Sequence, residues 1–159
     1  MKTKDIKGVS LSDASSKRTL NEIKIKLLSL SVNEGTARAV CAAFCAQLDP
    51  TSTEIADIKC AVSEAVTNCI VHAYKDTVGI IYISVRLCEG RIARIDIRDK
   101  GCGIADVSLA RQPLFTTDAE NERSGMGFTV MESFCDKVRV VSKCGSGTTV
   151  TLIKQFSEK

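Results

Sequence analysis

The clearest hydrophobic alternation begins at Ile23: Ile23, Ile25 and Leu27 alternate with Lys24 and Lys26, the period of two expected of a half-buried strand. Ser31, Val32, Asn33 and Glu34 then offer a cap for a helix predicted over 34–48, which Asp49 and Pro50 stop. A longer helix is predicted over 54–74, with Thr53 as its cap and Ile55, Ile58, Val62, Ala65 and Cys69 as its apolar stripe. Two β-rich runs, 79–88 and 91–98, are joined by Glu89-Gly90, a two-residue hairpin signal. Residues 125–135 read as helix, and strands over 137–143 and 148–155 close a hairpin around Cys144-Gly145-Ser146-Gly147. Residues 100–124 are the longest irregular stretch after the tail, and they read as a ligand lid.

Before the first strand, residues 1–20 are rich in Lys, Ser, Thr and Asp without a sustained period, which predicts a solvated tail ahead of one domain over 21–159. A chain of 159 residues buries roughly 68 to 70% of its unfolded surface, enough for a core without staples. With no Trp and 4% aromatics, that core must be aliphatic. The net charge of +3 owes much to lysines in the tail and is too small for bulk-charge binding of nucleic acid. No apolar run reaches the ~18 residues of a membrane span, and residues 1–20 lack a signal-type apolar segment. Neither nucleic acid nor membrane is expected as a partner, and the expected location is the cytoplasm.

Eight cysteines accompany a single histidine, without a Cys-x-x-Cys pair. Most fall at apolar positions of predicted elements, where Cys acts as a small hydrophobe. Reduced core thiols are the leading reading, beside a thiolate metal site and a structural disulfide.

Three blocks carry candidate chemistry. Glu64 and Asn68 are spaced i, i+4 on the long helix, so a carboxylate and an amide oxygen share a face that His72 continues. An amide oxygen with triphosphate oxygens suits Mg²⁺, and Glu64 can act as a general base. Asp99, at a strand exit before Gly101 and Gly103, offers adenine's amine an acceptor-only carboxylate beside closely approachable backbone. Arg123, Ser124, Gly125 and Gly127 lead into a helix whose free N–H groups can hold phosphate. Thr148 can support the base with its hydroxyl. Taken singly, the blocks also read as a polar helix face, an Asp-x-Gly turn, a loop-to-helix junction and a plain hairpin, and His72 as a structural histidine. Their joint order and spacing point to ATP with a divalent metal.

These blocks resemble the N, G1 and G2 boxes of the ATPase superfamily of gyrase, the ninety-kilodalton heat-shock chaperone, sensor histidine kinases and the mismatch-repair ATPase. Within it, residues 44–50, 63–68, 110–117 and 122–128 are similar to the sporulation anti-sigma-F family of serine-protein kinases, over about residues 22–156. The resemblance implies a Bergerat-type α/β (α+β) fold: a two-layer sandwich with helices on one face of a mixed, mostly antiparallel sheet. It also implies a homodimer that inhibits a sporulation sigma factor and uses ATP and Mg²⁺ to phosphorylate a serine on an anti-anti-sigma protein. By the same resemblance Glu64 is the general base, Asn68 the magnesium ligand, Asp99 the adenine reader, Arg123 the terminal-phosphate contact and Arg38 a contact for both protein partners. The long tail and Lys100, where the family carries an acidic residue, depart from the pattern, and Cys102 places an oxidisable thiol near the nucleotide. Alternatives are a general-stress anti-sigma kinase and a sigma-binding module without kinase activity.

Overall fold

Alternation along the strands decides which sheet face is covered. In a computed structural model, which describes residues 16–113 and 126–159, strands β1 (Thr19–Leu28), β2 (Ile80–Cys88), β3 (Ile92–Arg98), β4 (Lys137–Lys143) and β5 (Gly147–Gln155) form a sheet of order β1-β2-β3-β5-β4. Every pairing among the described residues is antiparallel. The register carries one apolar row across the sheet: Ile25 faces Ile83, Ile83 faces Ile97, Ile97 faces Val150, and Val150 faces Val140. Ile81, Val85, Leu87, Ala93, Ile95 and Leu152 extend the same buried face. A period of two places their neighbours on the other side, where Asp96 accepts from Arg86 at 2.8 Å, Arg94 at 3.2 Å and the Thr151 hydroxyl at 2.6 Å.

Helices α1 (Val32–Cys45), α2 (Ser52–Asn68) and α4 (Gly127–Phe134) pack on the apolar face, with α2 between the other two. The stripe of α2 is Ile58, Ala61, Val62, Ala65 and Val66, all buried, which is the i, i+3, i+4, i+7 pattern of a core-facing helix. A short helix α3 (Val107–Ala110) is capped by Asp106, whose carboxylate accepts from the Leu109 N–H at 3.0 Å. Among the described residues no helix is long and apolar enough to cross a membrane.

Several boundaries differ from the sequence reading. Strand β1 starts at Thr19, within the segment expected to be tail. Helix α2 is capped by Thr51, not Thr53: the Thr51 hydroxyl accepts from the Glu54 N–H while the Glu54 carboxylate accepts from the Thr51 N–H, a reciprocal box. The connection from β2 to β3 takes three residues, since Cys88 pairs with Ile92, and both Gly90 (φ 80°) and Arg91 (φ 58°) are left-handed. The regular α-helix ends at Asn68 and one π-helical turn, Cys69–Ala73, follows. All eight cysteines are free. Five are buried, and for Cys41, Cys45 and Cys135 burial pushes the thiol pKa up to about 12, so they pack as protonated, apolar groups.

Candidate active site

Asp99 and Thr148 meet at the end of the sheet where β3 exits, and Glu64 and Asn68 meet the start of α4. Glu64 and Asn68, one turn apart on the last part of α2, are half-buried, and the first residue of α4 lies directly on them. A Cβ placed on Gly127 would stand 3.2 Å from Glu64 Oε2 and 3.6 Å from both terminal atoms of the Asn68 amide. A glycine there keeps the space beside the carboxylate and the amide open. The helix and the glycine motif, far apart in sequence, thus share one volume. The π turn then widens the backbone, and it carries His72 away from the ideal i, i+4 row.

Asp99 is buried at the exit of β3 with 4% of its surface exposed. Its Oδ1 accepts from the Gly101 N–H at 2.9 Å and the Thr148 N–H at 3.2 Å, while Oδ2 accepts from the Cys69 thiol at 3.6 Å. Two backbone donors on one oxygen fix the carboxylate plane. Oδ2, contacted by a weak S–H donor, keeps lone-pair capacity for a further donor. Burial, followed by the neighbouring Asp99 charge, pushes the Cys69 thiol pKa upward, so the sulfur stays protonated and donates.

The glycines around Asp99 answer to close backbone approach. A Cβ on Gly101 would lie 2.3 Å from the Ala73 carbonyl oxygen at the end of the π turn, and one on Gly103 would lie 2.3 Å from the Lys143 carbonyl oxygen. Gly103 also has φ 76°, a left-handed conformation. Thr148 is 9% exposed, and its hydroxyl lies 2.7 Å from that of Ser142. Ser142 accepts in turn from the Ile104 N–H at 2.7 Å. The hydroxyl pair therefore ties the loop after β3 to the last hairpin.

Two supports were missed in the sequence. Tyr74 accepts from the Lys100 N–H at 2.7 Å and donates to the Ile80 carbonyl at 2.9 Å, pinning the loop after Asp99 to the start of β2. Cys69 belongs to the apolar stripe of the predicted helix, yet it touches Asp99. Its position one residue past Asn68 was the available signal, but the contact depends on how β3 meets the helix.

Arg38 lies on α1, half-exposed, 3.7 Å from Glu34. Glu34 also accepts from the Ser63 hydroxyl. A groove of about 590 Å³ runs between α1, α2 and α4, and it is lined by Arg38, Lys59, Cys60, Ser63, Glu64 and Phe134 among others. Arg38 and Glu64 thus border one open volume. Arg123, Ser124 and Gly125 lie outside the described residues.

The histidine kinase-like ATPase domain family matches residues 27–154. An anti-sigma F factor of Anoxybacillus flavithermus is 55% identical over 139 residues, covering 87% of this chain and 94% of the relative. This chain belongs to the anti-sigma F factor family. Another anti-sigma F factor, from Caldanaerobacter subterraneus subsp. tengcongensis, is 57% identical over 134 residues, 84% of this chain and 93% of the relative. Among solved structures, the RsbU and RsbW domains of Rv1364c from Mycobacterium tuberculosis share the fold with a TM-score of 0.65 at 24% identity, covering 87% of this anti-sigma F family chain and 33% of the other. The histidine kinase domain of the Erythrobacter litoralis EL346 blue-light activated kinase gives a TM-score of 0.52 at 20% identity, over 77% of this chain and 61% of the other. The α/β ATPase fold implied by the boxes is therefore the fold of this anti-sigma F family member.

Proposed function

We propose that the protein is an anti-sigma factor that binds and inhibits a sporulation sigma factor and uses Mg-ATP to phosphorylate a serine of an anti-anti-sigma antagonist. It acts as a homodimer in the cytoplasm. The observation that carries this reading is the meeting of three groups: Glu64, Asn68 and the start of α4 at Gly127, on the edge of the groove that also holds Arg38. A binding surface alone has no use for a carboxylate and an amide facing a helix N-terminus.

Asp99 reads adenine through Oδ2, and Thr148 supports the base. Backbone N–H groups at the start of α4, together with Arg123, Ser124 and Gly125, hold the phosphates, because a helix N-terminus presents unpaired donors and a positive dipole end. The donor set suits magnesium: one neutral amide oxygen at Asn68 leaves room for phosphate oxygens and water, as a small, strongly hydrated cation requires. Among the described residues no group of three or more acidic, Cys or His side chains competes for it. When bound, the ion neutralises charge on the transferring phosphoryl group. Glu64 accepts the proton of the attacking serine hydroxyl as the new O–P bond forms and the bond from the terminal phosphorus to the bridging oxygen breaks, releasing ADP, and Arg38 docks both protein partners beside it.

The test is to incubate the pure protein with labelled ATP, magnesium and the candidate antagonist, and in parallel to measure retention of the sigma factor. Label on an antagonist serine together with sigma retention is the expected result. Retention without transfer of label would reduce the protein to a sigma-binding module.

A further inference from the structure

The exposed thiols divide into one isolated residue and one pair. Cys60 lines the groove beside Glu64, whereas Cys102 and Cys144 sit on two loops whose backbones touch. The Gly145 N–H donates to the Cys102 carbonyl at 2.8 Å. A Cβ on Gly103 would stand only 3.0 Å from Cys144 Cα. These two contacts set the cysteines on facing backbones, and a disulfide spans Cα atoms about 4.4 to 6.8 Å apart. The Cys102 thiol now donates to the His72 carbonyl at 3.2 Å, with the Gly103 carbonyl at 3.5 Å. That contact joins the loop after Asp99 to the end of the helix that carries Asn68. The first loop begins at Asp99 and the second leads into Thr148 near the start of β5, so a bond between them bears on the base end of the pocket.

We propose that Cys102 and Cys144 are a reversible dithiol-disulfide pair, oxidised by low-molecular-weight disulfides, and that oxidation lowers nucleotide affinity. One cysteine, as thiolate, attacks a sulfur of the small disulfide and expels one thiolate, leaving a mixed disulfide on the protein. The second cysteine, as thiolate, then attacks the protein sulfur of that mixed disulfide and expels the other thiolate. The two protein thiols lose two electrons and two protons, and the small disulfide becomes two thiols. Exposure gives the oxidant access to both sulfurs. The five buried thiols are sheltered from it.

Closing the bond turns Cys102 away from His72 and draws the 99–103 loop toward the last hairpin, loosening its tie to the helix. This effect rests on the ATP reading, whereas formation of the bond does not. Affinity for ATP should fall about fivefold or more, and ATP should oppose oxidation by the same factor, since linked equilibria are reciprocal.

The test uses the full chain, first reduced and then equilibrated with glutathione disulfide. Thiols are counted by alkylation, bonds are mapped on non-reduced peptides, and ATP is titrated by calorimetry before and after oxidation. The expected product maps to Cys102–Cys144, retains no glutathione on that pair, has lost those two alkylatable thiols beside any mixed disulfide at exposed Cys60, and recovers its ATP affinity with dithiothreitol. Cys102→Ser and Cys144→Ser should each stop at the mixed disulfide. A bond to Cys60, a covalent dimer or a wild type that stops at the mixed disulfide would overturn the pair. A mapped Cys102–Cys144 bond with unchanged ATP affinity would overturn the coupling. Absence of ATP binding by the reduced protein would overturn the nucleotide reading instead, and the peptide map keeps the two failures distinct.

Discussion

At the scale of single residues, charge and hydrogen-bonding capacity separate the roles of Glu64 and Asp99. Glu64 lies on the open groove beside Gly127, so replacing it by Gln keeps the shape and removes the carboxylate that the proposed function uses as base. Glu64→Gln should retain nucleotide and sigma factor but slow single-turnover transfer by about 10² to 10⁴, the usual worth of a positioned base. Transfer within threefold of wild type would remove Glu64 from the chemistry. Asp99 obeys a different rule, because Oδ1 is already committed to the N–H groups of Gly101 and Thr148. In Asp99→Asn the amide oxygen must stay on those donors, which points the NH₂ group toward the base, donor against donor. ATP affinity should drop at least tenfold, about 1.4 kcal/mol, and wild type should bind GTP poorly. Calorimetry showing equal affinity for ATP and GTP would rule out an adenine-reading carboxylate.

At the scale of elements, the start of α2 does more than cap a helix. Glu54 accepts from the Thr51 N–H at 2.8 Å, and its other oxygen accepts from the Ser157 N–H at 2.8 Å and hydroxyl at 2.7 Å, stapling the helix start to the segment after β5. Burial works to raise the Glu54 pKa, but these hydrogen bonds outweigh it and bring the value down from 4.5 to about 2. A carboxylate with a depressed folded-state pKa stabilises above its unfolded value and loses that contribution on acidification. The stabilisation is therefore complete above about 4.5 and fades as the pH falls toward 2. Denaturant titrations of wild type and Glu54→Gln should differ most near neutral pH and converge in acid. A difference that does not change with pH would assign Glu54 a packing role instead. The box stands in the sequence as Thr51-x-x-Glu54, and Thr53, which directly precedes Glu54, lies inside the first turn instead of capping it. Long elements were legible because burial enforces their period: the stripe of α2 and the alternation of β2 and β3 repeat often enough to be read. The π turn was not, since one wider turn leaves no periodic trace in five residues. Nor were the contacts of Asp99 with Cys69 and Thr148, which depend on strand register and on how the helix meets the sheet.

For the whole molecule, packing α1 and α4 against α2 creates the groove that places Arg38 and Glu64 along one surface. That adjacency was invisible in the sequence, where Arg38 stands outside all three nucleotide blocks. On the proposed function it gives partner docking and phosphoryl transfer a shared border, while Asp99 lies at a separate, buried position. The 3.7 Å pair of Arg38 with Glu34 is half-exposed, so it adds little to stability and the guanidinium is available to a partner. Arginine is enriched among interface hot spots, where truncation costs about 2 kcal/mol or more. Arg38→Ala should accordingly weaken sigma-factor binding by roughly thirtyfold or more. ATP affinity and thermal stability should barely move. If both partners dock here, the variant should also phosphorylate the antagonist poorly at low substrate concentration and recover at saturation, because the rise is in KM and the base is intact. Titration with each partner and with ATP separates the outcomes. Unchanged partner affinities would remove Arg38 from docking, and loss of ATP binding would show that the Arg38–Glu34–Ser63 chain shapes the pocket around Glu64.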